Sequence, residues 1–265
     1  MAEKRKRVMG ALPEKIDIRD YKFKKTPFRS ANYPSHFECP IQTEIKDQGS
    51  VGSCVAHAAA EILEYHYPDT KMSTNFIYGI HYKLYGSKGP GMWLKTRCRI
   101  VTKYGDPIYE FCKGNTEVEK VYEIAEKAFK NPEAMENAKE HKISKYVRVV
   151  TNSDIKYSLM EYGPIMGAIM WYEENTLDKE TGILKKGTTM DGGHSIVVRG
   201  WTEDGWICQN SWGKYWGKNG YFILPWNYHL LEAYAFVPDT DHDDIVKPKC
   251  TGICKIINWI LNLFN

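Results

Sequence analysis

Cys54 closes a run of small, turn-forming residues, Gln48-Gly-Ser-Val-Gly-Ser-Cys54, and directly precedes Val55-Ala-His-Ala-Ala-Ala-Glu-Ile-Leu-Glu-Tyr65. Ala58, Ile62 and Tyr65 recur at helical spacing, which predicts a helix with Cys54 at or near its N-terminus. A neutral thiol is a poor nucleophile and a thiolate a very good one. The positive end of a helix dipole favours the thiolate, and a neighbouring imidazolium favours it further. That imidazolium can then protonate a leaving amine, so a cysteine in this setting suits acyl transfer. Gly52 and Ser53 keep the approach to the sulfur open.

The chain offers 8 histidines as bases. His57 and His66 share the helix of Cys54 and cannot easily face its sulfur. His194 follows Asp191-Gly-Gly193 and opens the β-type run Ser195-Ile-Val-Val198. Sixteen residues on, Asn210 ends the run Trp206-Ile-Cys-Gln209. Two adjacent strands bring Asn210 beside His194, where its amide can hold the imidazole in the reactive tautomer. Trp212 can shield that hydrogen bond from water. Against this stands the ordinary reading of each residue alone. A free cysteine is usually core, which is the reading taken for Cys98, Cys112 and Cys208, and a lone histidine before an apolar strand is usually structural. The joint pattern lifts Cys54 and His194 above it.

The order Gln, Cys, His, Asn resembles the papain and cathepsin family of cysteine peptidases. The strings that carry it are Gln48-Gly-Ser-Val-Gly-Ser-Cys54, Gly193-His194 and Gln209-Asn-Ser-Trp-Gly213, followed by Trp216-Gly-Lys-Asn-Gly-Tyr221. The resemblance implies an α+β, papain-like fold with a helical lobe, a β-barrel-like lobe and the active site in the cleft between them. It implies a nucleophile at Cys54, a base at His194, an orienting amide at Asn210 and an oxyanion donor at Gln48. Gly89 to Gly91 resemble the glycine stretch whose backbone pairs with an extended substrate, so Gly89 and Gly91 are candidates for that contact. Gly163-Pro164 resembles the start of the strand lining the pocket for the residue two before the scissile bond, which implies Ala168, Ser195 and Tyr234 in that pocket. Val51 stands where the family usually has a disulfide-bonded cysteine, and Val55 where an aromatic residue usually follows the nucleophile. The implied activity is endopeptidase hydrolysis through a thioester, with a peptide or protein as substrate and no cofactor. Two alternatives accompany it: capture of the same acyl-enzyme by an amine, giving a peptide ligase or transpeptidase, and an inactive binding module.

The elements that must position these residues read as two halves. Residues 1–40 form an extended, basic, proline-bearing arm, expected to restrain the enzyme by lying along the cleft out of register for attack. Residues 41–143 are helical, with segments expected over 54–65, 74–85, 92–104 and 116–142, the last broken near Pro132. Residues 144–238 carry short β-type runs at 146–150, 165–171, 195–201, 206–209, 221–224 and 233–237. A charged linker and an apolar stripe follow in 239–265, with Ile253, Ile256, Ile257, Ile260, Leu261 and Phe264 on one helical face. That tail at 253–264 is expected either to dock on a protein or a membrane surface or to fold back onto its own lobe.

Composition narrows the partners. The chain has 265 residues, 26% of them charged, and a net charge of +3, too small to argue for nucleic acid. No His-Glu-x-x-His pair or phosphate loop supports a metal or nucleotide site, and Cys250 with Cys254 is half a zinc site at best. The 7 cysteines lack paired spacing and the basic start lacks an apolar core, so a reducing cytoplasmic or host-cell interior is expected rather than secretion.

Overall fold

The computed structural model describes residues 7–12, 14, 20–23, 33–40, 44–86, 91–114, 117–238 and 245–246. Gly89 and the 253–264 tail lie outside these residues. The arm contributes β1 (Ala11–Leu12), β2 (Lys22–Phe23) and β3 (Phe37–Glu38). The helical half holds α1 (Cys54–His66), α2 (Thr74–Tyr85), β4 (Met92–Trp93), α3 (Leu94–Lys103), α4 (Val118–Lys130) and α5 (Pro132–Glu140). There follow β5 (Lys145–Arg148), α6 (Asn152–Glu161), β6 (Ile165–Tyr172), β7 (Thr176–Leu177) and β8 (Leu184–Lys185). Then come β9 (Met190–Trp201), β10 (Gly205–Gln209), β11 (Tyr221–Pro225), β12 (Glu232–Val237) and β13 (Ile245–Val246), which pairs with β2. The fold is α+β.

Local chemistry sets most of these boundaries. Ser73 caps α2 by accepting from the Phe76 N–H, and Gly86 ends it in the left-handed conformation at φ 69°. Asn131 caps α5 with Pro132 in its first turn, which separates α4 from α5 where the sequence predicts the break. The helix expected from residue 92 starts two residues later, because Met92 and Trp93 are drawn into pairing with β1. Helix α6 is a finding beyond the sequence reading. Thr151 and Asp154 form a reciprocal capping box at its start.

The main sheet runs β11-β10-β9-β6-β12-β5, with β3 added on β9, all antiparallel. Side chains alternate between its faces. Met166, Ala168, Val197, Tyr234 and Phe236 face the helical half and join a core with Cys54, Val55, Ala58 and Ile62. Ile165, Ile169, Ile196, Val198 and Trp201 face the other way, into a second core with Leu159 of α6. Helix α1 packs directly on β9 and β6, so the first turn of α1 meets the strand that carries His194.

Candidate active site

Cys54 is the first residue of α1, and no side chain caps the helix N-terminus. The orphan N–H groups and the positive end of the dipole are therefore left to the cleft. The Ser195 N–H donates to Cys54 Sγ at 3.4 Å, which sets the thiol against the residue following His194. On β9, His194 is fully buried. Its Nε2 is 2.8 Å from Asn210 Oδ1, which also accepts from the Ser211 N–H at 2.8 Å. An amide oxygen only accepts, so Nε2 carries the proton and Nδ1 keeps its lone pair. Nδ1 has no hydrogen-bond partner among the described residues. It is the nitrogen that can take up a proton.

The Trp212 ring lies tilted over the imidazole with centroids 4.8 Å apart, and Trp171 approaches both edge-on, 5.5 Å from His194 and 4.7 Å from Trp212. Trp212 is thus the cover that sequence suggests for the His–Asn pair. Trp171 is a second cover that sequence reading leaves inside a plain β run.

Gln48 is clamped by Ser211 from two sides. The Gln48 N–H donates to Ser211 O at 2.9 Å, and Ser211 Oγ donates to Gln48 Oε1 at 2.7 Å. This fixes the amide so that Nε2 is the donor turned toward the Cys54 loop, at 2.9 Å from Val51 O. Ser211 sits beside the orienting asparagine in sequence, yet nothing in its type signals the clamp.

The cleft is occupied by the chain's own arm. Val8 O accepts from Gln48 Nε2 at 3.2 Å, and the Gly10 N–H lies by the Cys54 sulfur. Gly10 O accepts from the Met92 N–H at 2.8 Å, and Ala11 and Leu12 run parallel to Met92 and Trp93. The fit is tight enough to require glycine on both sides. A Cβ on Gly10 would fall 2.0 Å from Gly52 O, and one on Gly193 would fall 2.0 Å from Ala11 O. Residues 7–12 therefore pack as part of the site, which is why Ala11 is buried. The thiol faces an amide N–H of the arm instead of a carbonyl carbon, so the arm is not placed for attack.

A papain family cysteine protease model matches residues 102–233, a stretch holding His194 and Asn210. A peptidase C1-like protein of Acanthamoeba polyphaga mimivirus is 31% identical over 214 residues, 71% of this chain and 66% of that protein. This chain belongs to the papain family of cysteine proteases. A cysteine protease of Blomia tropicalis is 26% identical, covering 74% of this chain and 61% of its own length. The chain thus spans about two thirds or less of the curated relatives it matches, at 66% and 61%. Among solved structures, xylellain, a cysteine protease from Xylella fastidiosa, superposes with a TM-score of 0.74 at 21% identity. That match covers 91% of this chain and 100% of xylellain. A procathepsin B of Trypanosoma congolense gives a TM-score of 0.67 at 16% identity, covering 88% and 87%. The fold is papain-like.

Within this papain-family site, burial sets the protonation states. Burial pushes the Cys54 thiol up to about 11, against the smaller opposing pull of the Ser195 and Gly10 N–H groups. Burial likewise brings His194 down to about 4, although Asn210 opposes it. Both shifts disfavour charge, so the arm-covered state holds a neutral thiol and a neutral imidazole at pH 7. Dipole reasoning from sequence expects a ready ion pair. The arm removes water from that pair.

The candidate substrate residues fall on one face of the sheet. Ala168 is the register partner of Ser195 on one side and of Glu232 on the other, and all three are buried. Tyr234 points the same way and donates to Glu232 Oε1 at 2.8 Å. Lys95 of α3 meets Asp20 of the arm at 2.5 Å, both nearly inaccessible. Glu232 and Lys95 were not legible as site residues, because a charged residue in a strand or helix ordinarily marks a solvated face. Gly91 lies beside the arm, where a Cβ would meet Gly10 O at 2.7 Å, but the donor that binds that carbonyl is the next residue, Met92.

Proposed function

We propose that the chain is a cysteine peptidase that cleaves peptide bonds through a thioester on Cys54, and that its own arm restrains it. The observation carrying this is the hydrogen-bond network Ser211–Asn210–His194, which leaves the Nδ1 lone pair unprotonated beside the residue whose N–H holds the Cys54 sulfur. The thiol proton passes to His194 Nδ1 as the sulfur attacks the substrate carbonyl carbon. Gln48 Nε2 and the Cys54 N–H receive the oxyanion. His194 then returns the proton to the leaving amine, and water, deprotonated by the same nitrogen, releases the acid. Ala168, Ser195 and Tyr234 line the side that takes the acyl part, with Glu232 beside them. Trp212 and Gln48 border the leaving-group side. The arm runs from the second side to the first, opposite to a productive substrate, which is why its contacts do not lead to cleavage.

Mass-spectrometric profiling of cleavage on a peptide library, with Cys54→Ala as control, tests the activity. Products bearing an added amine would move the reading to ligation, and no products at all would end it. Asn210 serves His194 without touching substrate, so Asn210→Ala should lower kcat about 100-fold while leaving measurable turnover. An Asn210→Ala chain as dead as Cys54→Ala would mean that the asparagine does more than orient.

A further inference from the structure

Where the arm leaves the cleft it inserts Arg7 into a built receptor. The guanidinium meets both carboxylate oxygens of Asp47, donating from Nη1 to Oδ1 and from Nη2 to Oδ2 at 3.4 Å. It also donates to Gly49 O at 3.1 Å and to Trp212 O at 3.3 Å, and stands 5.9 Å from the Trp212 ring centroid. The receptor is held rigid from behind. Asp47 is bridged to Trp212, the Gly49 N–H donates to Asp47 Oδ1 at 2.9 Å, and the Gly213 N–H donates to Lys46 O at 2.9 Å. A carboxylate, two carbonyls and an aromatic face match the fork of a guanidinium, whereas an ammonium, with three N–H donors on one nitrogen, cannot meet all four acceptor oxygens at once.

Arg7 adjoins Val8, whose carbonyl is on the oxyanion donor Gln48. A residue advances roughly 3.3 Å in extended chain, so the cradle lies one or two positions from the scissile bond. It lies on the leaving-group side, beside Trp212. We infer that, once the arm is displaced, this cradle selects an arginine or lysine side chain of the substrate one or two residues after the cleaved bond, with Asp47 as the specificity-determining residue. Arg7 then occupies in the resting chain the site that a basic substrate side chain must win. The inference rests on the peptidase reading above and adds to it a substrate class.

The test uses the full chain carrying Arg7→Ala, so that the cradle is vacated. Matched peptides that differ only one or two residues after the cut are compared with Arg, Lys, Ala or Glu there. Arginine should exceed alanine about tenfold in kcat/KM, the scale of a charge-assisted, multiply hydrogen-bonded contact, with lysine between and glutamate lowest. Adding Asp47→Asn should bring the arginine-to-alanine ratio close to one. Cleavage without a basic preference, or with one that Asp47→Asn leaves intact, overturns the inference: the cradle is then a latch for the arm alone, and the peptidase reading stands. Failure of every peptide to be cut by either chain overturns both.

Discussion

Replacing Cys54 by alanine should remove turnover by at least ~10⁴-fold while leaving the fold in place. The loss follows from the chemistry: without sulfur no thioester forms, and the residual rate comes only from binding and the oxyanion donors. Retention of the fold follows from packing. Cys54 is fully buried between α1 and the sheet, but alanine keeps the Cβ and loses one sulfur, a small cavity costing about 1–2 kcal/mol. Circular dichroism should superimpose and the melting temperature fall by a few degrees. A Cys54→Ala chain that still cleaves peptides at the original rate would remove the proposed mechanism. One that fails to fold would leave kinetics uninformative, and Cys54→Ser, which restores volume, would then carry the comparison.

The second large effect runs in the other direction. Gly10→Ala should raise turnover of a small peptide roughly 10- to 100-fold. The new Cβ would lie 2.0 Å from Gly52 O, a backbone atom that cannot move without shifting the Cys54 loop. Overpacking of this kind costs typically about 1–3 kcal/mol, and the arm escapes it by leaving the cleft. Arm residues in contact here are few, so the open state gains by nearly that amount, at about tenfold per 1.4 kcal/mol. Alkylation gives an independent readout. In the natural chain the buried thiol, pushed up to about 11, should react slowly with iodoacetamide at pH 7 and accelerate only as pH rises. Admitting water should lower that value, since its largest cause is burial. Gly10→Ala should therefore be alkylated faster at pH 7. Equal rates of cleavage and alkylation in the two chains would show that the arm does not restrain the site.

Much of this site is legible in sequence because catalytic chemistry limits residue choice. Cys54 before a helical repeat, His194 at a strand opening and Asn210 at a strand end each have a local pattern, and the three are close in space as that pattern requires. Helix α2 is likewise bounded by Ser73 and Gly86, and the break between α4 and α5 by Asn131 and Pro132. What sequence hides are long-range contacts. Ser211 clamps Gln48 across 163 residues, and Lys95 buries its charge against Asp20, neither with a local pattern. Helix α6 has only 10 residues, and its capping box lies beside the stronger β pattern that follows. Within the arm, Ala11 and Leu12 are extended in β1 and pair with β4. The arm's route through the cleft depends on Gly10 and Gly193 meeting other backbones, a steric fact with no sequence signature.

The central claim, acyl transfer through Cys54 beneath a displaceable arm, is tested most directly by trapping the intermediate. The Gly10→Ala chain is mixed with an activated peptide ester, quenched in acid within one turnover, and its intact mass measured. The account predicts a species heavier by the acyl group, mapped to Cys54 by peptide sequencing, cleaved by hydroxylamine as a thioester is, and absent from Cys54→Ala. An acyl group on any other residue, or its persistence in Cys54→Ala, would contradict it.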